Sequence, residues 1–369
     1  MKATFDLEHK DGDARAGTVT TGRGTFSTPC FMPVGTRGAV KHLSSKDLSE
    51  LGAQVILGNT YHLMLRPGAD IVESLGGLGK FANWDGHTLT DSGGYQVFSL
   101  EPKISDEGAI FKSVYDGSKI SLTPEGAVDT QIAIGADIQM VLDVCSALPS
   151  SDAVIREALD RTALWATRAR SRFLGHPTAS ERLSQFGIVQ GGIDLAMRAE
   201  SAQRTVELDF DGYAVGGLSV GEHRTQWHEP LRAATDQLPA DQPRYFMGLG
   251  DPAGIVDAVA RGIDMFDCVL PTRLARHGTL LTSQGRMNLT RAEFAKSDDP
   301  IDPAYPDSPV AGWSRGYLRH LLQVKEPTAA RLLTIHNLWW LLRFVDDMRT
   351  SITNGTFETF AAGVHEQWS

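Results

Sequence analysis

Phe186-Gly187-Ile188-Val189-Gln190, then helical apolar spacing over 195–208, then Tyr213-Ala214-Val215-Gly216-Gly217: this stretch decides the fold. It reads as a buried strand ending on an amide, a helix, and a second strand ending on two glycines. The unit recurs on both sides. Upstream lie Val55-Ile56-Leu57-Gly58-Asn59, the run Gly86-His87-Thr88-Leu89-Thr90 leading into Asp91, and Ile138-Gln139-Met140-Val141-Leu142-Asp143. Downstream lie Tyr245-Phe246-Met247-Gly248 and Met265-Phe266-Asp267. Helical spacing falls between most of them, over 124–134, 153–174 and 224–238; Thr123 caps the first of these, with Pro124 at its first position. Alternation of this length predicts an α/β fold, a (β/α)8 TIM barrel, rather than an open doubly wound sheet. No GxGxxG follows the first strand, which weighs against dinucleotide binding.

Past residue 290 the alternation stops. Residues 298–309 form an extended loop rich in proline, and helical spacing resumes over 314–324 and 328–350. The second of these carries Leu338-Trp339-Trp340-Leu341-Leu342, read as core aromatics. The expected organisation is a single barrel domain over 1–369, with 285–350 as a small helical subdomain packed on it.

A chain of 369 residues, 41% hydrophobic, buries a core without staples. Its three cysteines, Cys30, Cys145 and Cys268, form no CxxC pair and point to a reducing compartment. No segment resembles a signal peptide or a bilayer span, so the expected location is the cytoplasm, with no membrane partner. The net charge of −10 opposes a nucleic-acid partner in general, yet residues 270–350 hold 11 Lys/Arg against 8 Asp/Glu. An acidic body with a basic C-terminal third suits a polyanion held by one face.

In a barrel of this kind chemistry gathers at the C-terminal strand ends. Those ends supply Asp91, Asp143, Gln190, Gly216, Gly217, Met247 and Asp267. Asp91 opens Asp91-Ser92-Gly93-Gly94-Tyr95-Gln96, where paired glycines allow close approach and Tyr95 offers a stacking face; the alternative is a plain chain-reversing turn. Two carboxylates on different strands can divide nucleophilic and proton-transfer work. Arg273 and Arg276 follow Asp267 closely and suit phosphates or base edges, or else Arg273 pairs with Asp267 structurally. Asp143 and Gln190 can read a purine edge, with Met247 and Tyr95 over its faces. Gly248-Leu249-Gly250-Asp251-Pro252 opens a helix after a late strand, which is a phosphate site or an ordinary βα turn.

These residues carry a resemblance. Phe31-Met32-Pro33-Val34-Gly35-Thr36, Gly58-Asn59-Thr60-Tyr61-His62-Leu63, 89–100, Gly187-Ile188-Val189-Gln190-Gly191-Gly192, Gly216-Gly217-Leu218-Ser219-Val220-Gly221-Glu222 and 262–273 together resemble the bacterial tRNA-guanine transglycosylases of the queuosine pathway, nearly end to end. The resemblance implies a glycosyltransferase that replaces guanine at the anticodon wobble position of tRNA with a 7-deazaguanine precursor base, by a covalent ping-pong route. It implies Asp267 as nucleophile and Asp91 as general acid/base. It assigns the base pocket to Asp91, Ser92, Gly93, Gly94, Tyr95, Asp143, Gln190, Gly217 and Met247. It assigns tRNA contacts to Gly248, Leu249, Gly250, Asp251, Pro252, Ala253 and Gly254, and to Thr272, Arg273, Leu274, Ala275 and Arg276. Cys145 and Val220 match bacterial relatives and imply 7-aminomethyl-7-deazaguanine as incoming base. A homodimer is implied through Phe81, Trp313, Tyr317 and His320.

The chain departs from that pattern twice. The family's structural zinc sits on three cysteines and a histidine; here the run is Tyr305-Pro306-Asp307-Ser308-Pro309-Val310 and only His336 remains, so no metal and no cofactor is expected. Pro300, Pro303, Pro306 and Pro309 restrict the loop in its place. Val144 replaces the glutamate usual beside the base-reading aspartate. Competing readings are a non-catalytic tRNA-binding partner subunit, a paralogue with another base or nucleic-acid target, and an unrelated barrel glycosidase.

Overall fold

The computed structural model describes residues 3–219 and 222–368. Eight strands close into a parallel barrel: β1 (Cys30–Gly35), β2 (Val55–Gly58), β3 (His87–Thr90), β4 (Ile138–Met140), β5 (Ser184–Val189), β6 (Gly212–Val215), β7 (Arg244–Phe246) and β8 (Met265–Cys268). The barrel shuts where β8 pairs β1, with Asp267 opposite Met32. The strands are buried almost throughout, polar members such as Thr88, Gln139 and Gln185 included, because helices cover the outside and packed side chains fill the inside. Phe31, Phe186, Ile188, Phe246 and Phe266 are fully buried in one core.

The expected TIM barrel is therefore present, and seven of its strands coincide with the apolar runs. The eighth, β1, carries Pro33, which lacks a ladder donor and disguises the strand. Helices follow the spacing closely: Pro124–Ile134, Asp152–Gly175 and Leu195–Val206. Thr123 Oγ1 caps the first by accepting from Gly126 N at 3.0 Å. The single helix expected over 224–238 is instead a 3-10 turn, Arg224–Trp227, running into His228–Thr235.

Two antiparallel sheets decorate the barrel. One, Thr4–Asp11, Ala14–Thr21 and Gly24–Thr28, precedes β1. Its Arg15 reaches both carboxylate oxygens of Asp264 just before β8, at 3.0 and 3.1 Å, which places this sheet at the N-terminal end of the barrel. The other, Lys103–Ser105, Gly108–Lys112 and Lys119–Leu122, is inserted between β3 and β4.

The C-terminal region holds a hairpin, Thr279–Thr282 with Gly285–Asn288, a proline-rich loop, and the helices Arg315–Gln323, Pro327–Thr353 and Phe357–Trp368. A separate small core joins Leu280, Leu289, Ile301, Val310, Leu318 and Leu333. The 27-residue helix Pro327–Thr353 belongs to both regions. Leu332 and Leu333 pack in the small core, whereas Leu338, Leu341, Val345, Met348 and Ile352 pack in the barrel core. A boundary at 285 thus cuts the hairpin, and one at 350 leaves a barrel helix inside the subdomain.

Candidate active site

The C-terminal strand ends surround a cavity of about 560 Å³. Asp91, Ser92, Gly94, Tyr95, Asp143, Cys145, Gly216, Gly217, Met247 and Asp267 all line it. Each of the polar residues follows or ends a strand, so closure of the sheet brings together groups far apart in sequence.

Asp91 lies one residue past β3 and is held by three donors. Asn59 Nδ2 reaches Oδ2 at 2.6 Å, while the N–H groups of Thr60 and Gly93 donate to Oδ1 at 3.0 and 3.1 Å. Asn59 is itself oriented as the N-cap of the helix Thr60–Leu65, its Oδ1 accepting from His62 N at 3.0 Å. Gly93 has φ 79, and a Cβ there would lie 3.2 Å from Tyr61, so the sharp turn needs glycine. Burial pushes the Asp91 carboxyl up to about 7; the N–H donors pull it down, and the charges of Asp267 and Asp143 add to the rise. Near neutral pH this group can give or take a proton.

Asp267, on β8, is arranged differently. Tyr245 Oη donates to its Oδ1 at 2.5 Å and Gly248 N to the same oxygen at 2.7 Å. Both bonds favour the ionised form against burial, which raises the pKa. Both fall on Oδ1, and among the described residues no donor reaches Oδ2 of this cavity-lining carboxylate. A carboxylate anchored by one oxygen and bare at the other is suited to attack. Neither Arg273 nor Arg276 makes an ion pair with Asp267 among the described residues.

The third carboxylate, Asp143, is 5% exposed and joins Gln190 Nε2 at 2.6 Å and Ser92 Oγ at 3.4 Å. Burial raises its pKa to about 6, against which the Gln190 and Ser92 bonds pull. Gly94 is closely packed here, since a Cβ would sit 3.1 Å from the Asp143 carbonyl oxygen. Tyr95, 65% exposed, and the half-buried Met247 both line the cavity. Gln190 is buried against Asp143 and is not among the residues lining the cavity; the Asp143 carboxyl and glycine main chain, with Tyr95 and Met247, form a slot for a planar heterocycle.

Of the two glycine- and arginine-bearing stretches, only part reaches the cavity. Gly248, Gly250 and Asp251 line it, while Leu249, Pro252, Ala253 and Gly254 are buried, with Asp251 capping the helix through Gly254 N at 2.8 Å. Arg273 lines the cavity, Arg276 is exposed and outside the lining, Thr272 and Ala275 are buried and Leu274 is partly so. Arg286, from the hairpin, joins Arg273 at the cavity although the sequence reading did not single it out. Nor did that reading assign roles to Asn59, Thr60 and Tyr245, which hold the two carboxylates; Asn59 and Tyr245 also line the cavity. Val144 points into an apolar cluster with Tyr61, Phe111 and Trp165. Val220 lies outside the described residues.

The position of the family's zinc does not fit a metal. His336 is fully buried, its Nε2 donating to Leu281 O at 2.8 Å, with Ser308 Oγ 3.5 Å from Nδ1. Asp307 is exposed and pairs with Arg343 at 3.2 Å. Asp302 is committed to Ser283 N and Oγ. Among the described residues no group of three or more His, Cys, Asp or Glu is placed to hold an ion. Burial lowers the His336 pKa to about 4, so the imidazole serves as a neutral hydrogen-bonding post.

Residues 10–369 match the profile of a family described as queuine tRNA-ribosyltransferase. The chain belongs to this family. Queuine tRNA-ribosyltransferases from Solidesulfovibrio magneticus, Desulfosudis oleivorans and Pelotomaculum thermopropionicum are 48%, 49% and 45% identical to it. The alignments cover 97%, 95% and 98% of this chain and 96%, 91% and 97% of those relatives. The resemblance seen in the motifs is borne out, and with it the placement among transglycosylating enzymes. No helix among the described residues is long and apolar enough to cross a membrane.

Proposed function

We propose that this queuine tRNA-ribosyltransferase family member replaces guanine at the anticodon wobble position of tRNA with 7-aminomethyl-7-deazaguanine, for queuosine biosynthesis in the cytoplasm. One observation carries the chemical reading: Asp267 is fixed through Oδ1, with no donor to Oδ2 among the described residues, and shares its cavity with a second carboxyl, Asp91, that is poised near neutrality. Oδ2 attacks the ribose anomeric carbon. The glycosidic bond breaks, its electron pair stays with guanine, and the Asp91 proton neutralises the departing base. The incoming base then loses its ring N–H proton to Asp91, its nitrogen attacks the same carbon, and Asp267 leaves. Two displacements at one carbon retain its configuration.

Asp143, Gln190 and the Gly217 main chain read the base edge, with Tyr95 and Met247 covering its faces. Cys145 on the cavity wall supports the aminomethyl base. Arg273, Arg276 and Arg286 offer the positive rim that tRNA needs. The enzyme works as a metal-free homodimer: Trp313, Tyr317 and His320 are exposed along one side of a helix and its approach, which supports an interface rather than a core. The test is to denature a mixture of enzyme, labelled tRNA and a competing base, and to run it beside Asp267→Asn. The wild type should yield a protein–RNA adduct and the variant none; an adduct persisting in the variant overturns the assignment of Asp267.

A further inference from the structure

Arg198 lies on the helix Leu195–Val206, yet it is fully buried. Its guanidinium makes four hydrogen bonds, each to a main-chain carbonyl. Nε donates to Gly192 O at 2.7 Å, Nη1 to Val189 O at 3.1 Å and to Gly216 O at 2.7 Å, and Nη2 to Gly217 O at 3.1 Å. None of these partners is a carboxylate. Burial lowers the pKa to about 9, which still leaves the group charged at neutral pH. The negative charge of Glu222 favours the cation against burial, and every hydrogen bond the guanidinium makes to the described residues ends on a main-chain carbonyl, which is a costly way to pack a helix against a barrel.

Its acceptors share one location: the ends of β5 and β6 and the turns that follow. Those turns carry Gln190 and Gly217. In a trans peptide the C=O and N–H point in opposite directions. Drawing the Gly216 and Gly217 carbonyls onto Arg198 therefore turns the N–H groups of Gly217 and Leu218 the other way. Gly216, Gly217 and Leu218 line the cavity on that side. The Gly217 N–H meets the thiol of Cys145, also on the cavity wall, and a thiol is a weak acceptor that a ligand oxygen can displace. Gly217 has φ 64, and a Cβ there would lie 2.3 Å from Gln190 Oε1, so this turn tolerates no side chain.

We infer that Arg198 is a positioning residue for base recognition, turning the Gly217 and Leu218 amides into the cavity as donors to the ring oxo group of the bound purine. It acts through the main chain and touches no substrate. The inference rests on the guanine exchange proposed above. Its fork geometry matters as much as its charge, because a lysine ammonium cannot bridge four carbonyls from two turns.

The experiment compares wild type, Arg198→Lys and Arg198→Met in calorimetric titrations with guanine and with 2-aminopurine, which lacks the oxo group. Steady-state exchange with labelled guanine gives KM and kcat separately, and thermal melts check folding. Loss of aligned amide donors should weaken guanine binding by about 10- to 100-fold in Arg198→Met, raise KM for guanine in step, and leave 2-aminopurine nearly unaffected. Arg198→Lys should recover only a small part. Equal losses for both ligands, or full rescue by lysine, overturn the inference while leaving the exchange reading intact. A wild type that binds no guanine removes both. Should the variants fail to fold, a crystal structure of the wild type with guanine decides: neither amide within hydrogen-bonding distance of the oxo oxygen refutes the inference.

Discussion

Tyr245→Phe isolates one of the two hydrogen bonds that favour the ionised form of Asp267 against burial. Asp267 Oδ1 accepts from two neutral donors, Tyr245 Oη at 2.5 Å and Gly248 N at 2.7 Å, and the substitution removes the first without leaving an orphaned hydroxyl. A hydrogen bond to a charged partner contributes about 1.5–3 kcal/mol. The bond favours the carboxylate, so its loss raises the Asp267 pKa, by roughly 1–2 units at 1.36 kcal/mol per unit. Attack requires the ionised form. The acid limb of kcat/KM against pH should therefore move to higher pH by about 1–2 units, with a loss of about 10- to 100-fold below it and near recovery above it. The basic limb, set by the need for protonated Asp91 and lying near 7, should stay in place. The assay is incorporation of labelled guanine into tRNA across a pH series. An acid limb that does not move, with a uniform loss of rate at every pH, would refute the view that Tyr245 tunes the nucleophile.

Asp91→Asn should abolish exchange and flatten the dependence of Tm on pH. The folded-state pKa of about 7 lies above the ordinary carboxylate value near 3.9, so stability present at low pH is lost as pH rises through that window in the wild type, whereas the amide, which does not titrate, shows no such fall. Asn337→Ala strips partners from Leu281 N, Pro271 O and Thr279 O in a buried site and should lower unfolding free energy by about 3 kcal/mol in a denaturant titration. Extended chelation should leave Tm unchanged and elemental analysis should find no stoichiometric zinc, since His336 is engaged with Leu281 O. Replacing Trp313 and Tyr317 together by alanine should halve the mass seen by light scattering to the 40.1 kDa of one chain, with little change in Tm because both are exposed.

Much of this architecture is visible in the chain before folding. Strands buried on both faces carry apolar runs more than alternation, interrupted here by buried polar residues such as Thr90, Gln139 and Gln185, and the cavity lies where those runs stop. Asp91, Asp143, Gln190 and Asp267 stand at such stops and were legible for that reason. Tyr245 was not, because it sits inside β7 beside Phe246 and looks like core. Arg198 was not, because one arginine on an amphipathic helix looks like solvated surface. Asn59 carries a helix-capping signal that conceals its second bond to Asp91. Arg286 reaches the cavity from a hairpin outside the repeating units, and no local pattern announces such an arrival. The two antiparallel sheets were missed because the eye follows the dominant strand–helix period.

The helix Pro327–Thr353 has one further consequence. At 1.5 Å per residue its 27 residues span about 40 Å as one continuous rod, and opposite ends of that rod are sealed into different cores. Neither core can melt without unwinding a stretch the other depends on. Heat should therefore take the barrel and the small region apart in a single calorimetric peak, and damage to Leu333 should register in the barrel's own transition. The coupling between the two regions is thus carried by an unbroken length of backbone.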